Sequence, residues 1–281
     1  MRKLTPYILL LPFLSLFFTF FVAPFLFSIY VALFKGRGRT LFFKFVGLAN
    51  FIKGVNDPKL WEAIINMWIF TLIWIPILLV SATTMAIYFN RRRKIWSSTL
   101  RVVAFLPYAI PSVVGSIMWS FMYNPRSGGL TYLLSLFNLK VNLLDPSNLM
   151  YALVNIIAWE YLGFNVMILL AGLRSIPDYI YEAATIDGAD TLRQLWYIQL
   201  PLIKRYILFI SATTIVGAQL LFNEPYILSR IAPLKPNFTP NTYIYNIVST
   251  TGNINYAAAL GMIVAAISFA LTFVLFRYIM R

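Results

Sequence analysis

Long apolar runs separated by short polar segments divide this chain into six spans, at residues 7–34, 62–89, 101–123, 150–173, 202–222 and 256–279. A predominantly apolar run of about 20 residues is long enough to cross the hydrocarbon core of a bilayer as a helix, whereas strands of a soluble sheet are far shorter. The pattern therefore predicts an all-α polytopic membrane protein with six transmembrane helices, organised as a single transmembrane domain over 1–281. No internal repeat accompanies them, which weighs against an inverted-repeat secondary transporter.

The first run follows Arg2 and Lys3 and resembles a secretory leader only superficially. A leader's apolar region is about 7–15 residues and ends in a small-x-small cleavage site, whereas this run is much longer and sets Pro24 directly after Ala23. It reads as the first transmembrane helix, with Pro12 and Pro24 as kink points. Pro76 interrupts the second run in the same way. In the third, Leu106–Pro111 carries two prolines four residues apart, which breaks the helical hydrogen-bond ladder. Backbone freed at that depth must be buried in protein or line a wet cavity, so the segment is either a gate and pathway wall or a purely structural kink. The fourth run holds Trp159, Glu160, Tyr161 and Asn165 near its middle. An ionisable Glu160 there should face the bundle interior or water, as a functional group or as an interhelical hydrogen-bonding partner. Thr213, Thr214, Gln219, Asn223 and Glu224 give the fifth run a polar stripe and outer end, and Ala257, Ala258, Ala259, Gly261, Ala265 and Ala266 suit the sixth to close helix packing.

Composition supports the membrane reading and removes several chemistries. The chain is 60% hydrophobic and 11% charged, with a mean hydropathy of +0.76. Its formal charge of +14 is scattered at the ends of apolar spans rather than gathered on an aromatic-basic surface, which fits topology and anionic lipid and gives no nucleic-acid partner. Without cysteine or histidine there is no disulfide frame, Cys/His zinc site or imidazole base. Nine acidic residues, most of them in loops, weigh against a paired-carboxylate active site or a carboxylate metal cage. The basic run Arg91, Arg92, Arg93 and Lys94 marks a cytoplasmic loop, and with Arg277 and Arg281 it places both termini in the cytoplasm of a cell (inner) membrane protein. Lys35, Arg37, Arg39, Lys44, Lys53 and Lys59 in the first external loop run against that bias.

One polar segment stands out, Ser175–Pro201 between the fourth and fifth runs. Ser175 and Asp178 have capping-box spacing, and Pro177 suits a first helical turn. A short helix should start there and stop near Gly188, the residue most tolerant of a left-handed turn. From Asp190 a second amphipathic run, with Leu192, Leu195, Trp196 and Ile198, leads to Leu200-Pro201. Small residues at Ala183, Ala184, Gly188 and Ala189, with acceptors on Glu182 and Asp187, fit the close approach of a partner.

The spaced pattern Glu182-Ala183-Ala184, Gly188, Ile198, Leu200-Pro201 resembles the signature loop of binding-protein-dependent ABC importer permeases, and every position matches. Phe45–Phe51 (FVGLANF, expected to lie across the interface), Leu106–Pro111, Leu143–Pro146 and Leu170–Pro177 are similar to the oligosaccharide and glycerol-phosphate branch, and the chain as a whole resembles the maltose-type first permease subunit. The resemblance implies a type I ABC importer permease fold. It implies a non-enzymatic subunit that binds no cofactor itself, with ATP and magnesium on two cytosolic ATPase subunits, a second homologous permease completing a heterodimer, and an extracytoplasmic solute-binding protein. It assigns Glu182, Ala183, Ala184, Asp187, Gly188 and Ala189 to coupling with the ATPase. It also points to a midplane pathway at Leu162, Gly163, Asn165 and Val166, and at Thr213, Thr214, Gly217 and Gln219, to which Trp159 and Glu160 are added. A sugar or related polyol such as glycerol phosphate is the implied solute, with Trp119, Trp159 and Tyr161 as stacking faces and Asn165 and Gln219 as hydrogen-bonding groups. Two features depart from the family. Ser229–Pro233 stands where a T-x-G-G-P turn is usual, and no large external domain is present. The rivals are an ion-coupled carrier or channel using Glu160 and Glu224, and a membrane enzyme acting on lipid-linked sugar.

Overall fold

The computed structural model describes residues 5–37, 40–91, 95–139 and 141–279. Arg2, Lys3, Arg39, Arg281 and three members of the basic run, Arg92, Arg93 and Lys94, lie outside the described residues.

Helix dominates, and among the described residues five helical stretches are long and apolar enough to cross a membrane: Leu9–Ala32, Pro58–Arg91, Leu149–Arg174, Thr191–Gln219 and Ile254–Val274. A sixth span is broken, Ser98–Ala109 and Ser112–Met122 meeting at 101°. The first stretch comprises α1 (Thr5–Phe17), a π-helical turn at Phe18–Val22 and α2 (Ala23–Ala32). A wide turn just before Pro24 relieves the clash between the proline ring and the carbonyl four residues earlier, so the helix bends without ending. Phe13, Phe20, Phe21 and Phe25 are exposed along it, which suits lipid rather than water.

The first loop adds a short hairpin to the otherwise helical fold. Strands β1 (Phe34–Arg37) and β2 (Thr40–Phe45) pair antiparallel as a hairpin, followed by a left-handed Gly47 (φ +56°) and the short helix α3 (Ala49–Val55). Asn50 explains part of the FVGLANF segment. Its Nδ2 donates to the carbonyls of Ala32 and Phe34, each at 2.8 Å, and so satisfies backbone acceptors at the end of the first span.

The central core is built on α4 (Pro58–Arg91) and α8 (Leu149–Arg174), which bury Phe70, Trp74 and Leu78 against Leu153, Ile156 and Leu169. The broken span consists of α5 (Ile95–Phe105), a 3₁₀ turn at Leu106–Ala109 and α6 (Ser112–Met122). Ile110 is extended (ψ 130°) because the following Pro111 disfavours the helical region for the residue before it. Helix α7 (Gly129–Leu136) occupies the loop that follows. A second cluster joins the start of α4 to α13 (Pro240–Thr251) and α14 (Ile254–Ile279) through Leu60, Ile64, Ile247 and Leu260.

The fifth span differs most from its expected limits. Instead of a span at 202–222 entered through Pro201, α10 (Thr191–Gln194), a π turn at Leu195–Gln199 and α11 (Leu200–Gln219) form one continuous helical stretch. Pro201 falls at the second position of α11 directly after the π turn, the arrangement already met at Pro24. The stretch ends at Gln219, and the short helix α12 (Asn223–Leu228) begins after Phe222.

Candidate functional site

Two regions correspond to the predicted site residues, an elbow at one end of α8 and a cavity along the same helix.

Helix α9 (Asp178–Ile186) starts beside Pro177, as expected, but the capping box does not form. Ser175 is already the C-cap of α8, and its hydroxyl donates back to the Gly172 carbonyl at 2.7 Å. The predicted stop is present. Gly188 has φ +78°, the Gly188 amide donates to the Thr185 carbonyl, and the Ala189 amide donates to the Ala184 carbonyl at 2.8 Å in a Schellman-type closure. Asp190 caps the next helix by accepting from the Arg193 amide at 2.8 Å. Gln194 pins the two arms, its Nε2 donating to Thr185 Oγ1 and to the Ala189 carbonyl. Ile180 and Tyr181 seat α9 on the core. The opposite side is open: Glu182, Ala183, Asp187 and Gly188 are exposed, Ala184 and Ala189 half-buried, and the apolar Ile186 and Tyr197 are 86% and 81% exposed.

The cavity, of about 340 Å³, lies between α8 and α11 and is closed by the 3₁₀ turn and by the α11–α12 junction. Of the predicted pathway residues, Asn165, Thr213, Thr214 and Gly217 line it. Leu162 and Val166 instead pack into the central core, and Gly163 meets the broken span so closely that an added Cβ would stand 1.8 Å from the Ala104 carbonyl oxygen. Gln219 is buried, with Nε2 reaching only the Ile215 carbonyl. Trp159 packs edge-on against Trp119, ring centroids 5.9 Å apart, so neither indole is a cavity wall. The reason is helical phase: Asn165 and Tyr161 share one face of α8, whereas Gly163 and Val166 point to others.

Tyr161 does line the cavity, with aromatic company the sequence did not identify. Tyr108 stacks on Phe164 with centroids 4.4 Å apart and meets Tyr161 edge-on at 5.9 Å. Tyr108 sits inside the Leu106–Pro111 break, whose two prolines were the available signal. The break thus forms part of the cavity wall. Phe70 and Trp74 from α4, and Ser112, Phe222, Asn223 and Glu224, also line the cavity. Asn223 Nδ2 donates to Ser112 Oγ at 2.8 Å across the two breaks.

Glu160 faces inward, as expected of a carboxyl at that depth, and lies beside Gly115, where an added Cβ would approach Oε1 to 2.8 Å. The carboxyl opposite belongs to Glu224. The two are 3% and 4% exposed. Tertiary packing thus unites two acids far apart in sequence, a meeting that the sequence did not identify. In the departing Ser229–Pro233 segment, Ser229 Oγ donates to the Tyr226 carbonyl, and Arg230 donates to the Tyr226 hydroxyl while its guanidinium lies 4.7 Å from that ring's centre.

A bundle of apolar helices around a polar-aromatic cavity, with a solvent-facing elbow joining two of the cavity's walls, defines the class of membrane permease. Residues 82–281 match the family described as the inner membrane component of binding-protein-dependent transport systems, and the chain belongs to it. It is 30% identical to the probable ABC transporter permease protein YurN of Bacillus subtilis, over 99% of this chain and 96% of that one. It is also 30% identical to the lactose transport system permease protein LacF of Rhizobium radiobacter (94% and 90% covered) and to the sn-glycerol-3-phosphate transport system permease protein UgpA of Agrobacterium fabrum (99% and 95% covered). Among solved structures, a chain of a bacterial ABC transporter involved in import of the acidic polysaccharide alginate superposes with a TM-score of 0.86 at 21% identity, covering 100% of this chain and 96% of that one. The type I permease fold expected from the sequence is therefore the one observed, and the chain is a multi-pass membrane transport component. Family membership does not favour the ion-coupled carrier.

Proposed function

We propose that this chain is one of two homologous transmembrane halves of an ATP-driven importer for a sugar or related polyol. It is fed by an extracytoplasmic solute-binding protein and driven by two cytosolic ATPase subunits that hold the ATP and magnesium. Both termini and the elbow face the cytoplasm. The hydrolytic chemistry belongs to the ATPases, and this chain converts their closure into movement of helices.

One observation carries the reading. The elbow Asp178–Asp190 connects α8 directly to the α10–α11 stretch, and those same helices supply Tyr161, Phe164 and Asn165 on one wall of the cavity and Thr213, Thr214 and Gly217 on the other. A push on the elbow is therefore delivered to both walls without an intervening flexible link. Its exposed Ile186 and the small Ala183, Ala184 and Gly188 suit insertion into a cleft on a partner. For the cargo, the stacked Tyr108 and Phe164 rings beside Asn165, Thr213 and Thr214 combine flat apolar faces with directional hydrogen-bonding groups, as polyhydroxylated rings require. The lactose and glycerol-phosphate permeases named above agree with that class.

The test is assembly and coupling. The importer should copurify with an ATPase, and Ala184→Cys should crosslink to a cysteine introduced in that ATPase's cleft. Gly188→Val puts a β-branched residue at φ +78° but meets no neighbouring atom, so it should insert normally and lower ATP-driven uptake at least about tenfold. Wild-type uptake in Gly188→Val, or uptake without any ATPase, overturns the reading.

A further inference from the structure

We infer that this chain's half of the pathway is a cation-favouring, anion-rejecting filter set by Glu224 and backed by Glu160, and that the cargo is an uncharged saccharide rather than a phosphorylated or uronic one. The inference deepens the proposed function and rests on it. It starts from the cavity lining, where Tyr108, Ser112, Tyr161, Asn165, Thr213, Thr214 and Asn223 are neutral and Glu224 is the only acid or base among the described lining residues. Behind it, Glu160 is nine-tenths buried or more, and both its oxygens lack a well-formed hydrogen bond among the described residues. Gly115 leaves that carboxyl the room it occupies. Two of the chain's nine acidic residues are thus held together at the cavity wall, although its basic residues total 23. A structural role alone would be met by any polar pair with satisfied hydrogen bonds. A carboxyl pair beside a roomy cavity, which keeps one negative charge even with a proton shared between its members, instead presents a field to whatever enters. A phosphate or carboxylate on the cargo would find no counter-charge on this wall and would be repelled by Glu224 through a poorly screened medium. A neutral sugar loses nothing by the same carboxyl and gains an acceptor for its hydroxyls.

The chain contains no cysteine, which allows the potential to be read without knowing the cargo. Thr213→Cys and, separately, Gly217→Cys are made in the assembled importer, with the wild-type importer as blank. Their reaction rates with a cationic and an anionic methanethiosulfonate are compared with those of free 2-mercaptoethanol. The cationic-to-anionic rate ratio should exceed that of the free thiol by about tenfold or more, and the excess should collapse in Glu224→Gln and in Glu160→Gln/Glu224→Gln. A ratio equal to that of the free thiol, a preference for the anionic reagent, or an excess unchanged by both substitutions would sink the inference. Because either single-cysteine variant can be labelled whether or not the elbow crosslinks to an ATPase, loss of the filter and loss of the importer reading give different results.

Discussion

Gly163 is where one atom decides whether α8 can meet the broken span. An added Cβ would lie 1.8 Å from the Ala104 carbonyl oxygen and 2.9 Å from the Phe105 Cα, both backbone positions that cannot swing aside. Gly163→Ala should therefore lower stability by about 1–3 kcal/mol or more, read as a fall in the thermal midpoint of the detergent-solubilised protein. Gly261→Ala is the matched control, because an added Cβ there meets nothing within 4 Å. The control should hold its midpoint or raise it slightly, as alanine is the better helix former. Equal losses in both would mean that helix contact at Gly163 is not the cause. From the sequence this glycine was assigned to the solute pathway, and a small residue in a membrane helix does serve either purpose. Only the neighbour distinguishes them.

At the scale of an element, the π turn at Leu195–Gln199 shows how one proline sets the phase between the elbow and the cavity. The turn holds an extra residue and ends at Gln199, with only Leu200 between it and Pro201. Pro201→Ala restores an amide donor and removes the ring, so the turn is free to tighten into ordinary α-helix. Tightening rotates α10 and the elbow by roughly 100° relative to α11, the angle that one residue subtends on a helix. The expected result is full expression and ATP hydrolysis with uptake reduced several-fold, measured as solute moved per ATP consumed. An unchanged ratio would mean that the turn does not set the phase. The leucine-proline pair was legible as part of the motif, but a boundary was read where the chain in fact continues. A proline at the second position of a helix and one that follows a π turn look identical in one dimension.

At the scale of the whole molecule, Asp57 ties together three parts of the chain. The hydroxyls of Tyr243 in α13 and Tyr256 in α14 both donate to its Oδ2 at 2.6 Å, just before α4 begins. Partial burial works to raise the Asp57 pKa, but those two donors and the amides of Lys59 and Leu60 outweigh it and hold the carboxyl below its ordinary value of 3.8. A carboxylate whose folded pKa is depressed adds stability that is fully present above the unfolded value and is lost as pH falls through the folded one. Acid should therefore loosen the second cluster below about pH 4. Thermal midpoints against pH should fall less steeply in that range for Asp57→Asn, which should also be less stable than wild type at neutral pH. Parallel curves would remove Asp57 as the group responsible.

The number of spans, the break in the third, the glycine-stopped elbow and the family were all present in the order of residues. Each depends on local physics: apolar length, proline geometry, a left-handed glycine and the spacing of a motif. Which face of α8 meets the cavity was not. Tyr161 and Asn165 line it while Gly163 and Val166 do not, because helical phase relative to a partner is settled by packing. The meeting of Glu160 with Glu224 and the entry of Tyr108 into the lining have the same origin, since contacts between residues distant in sequence exist only once the bundle has closed around them.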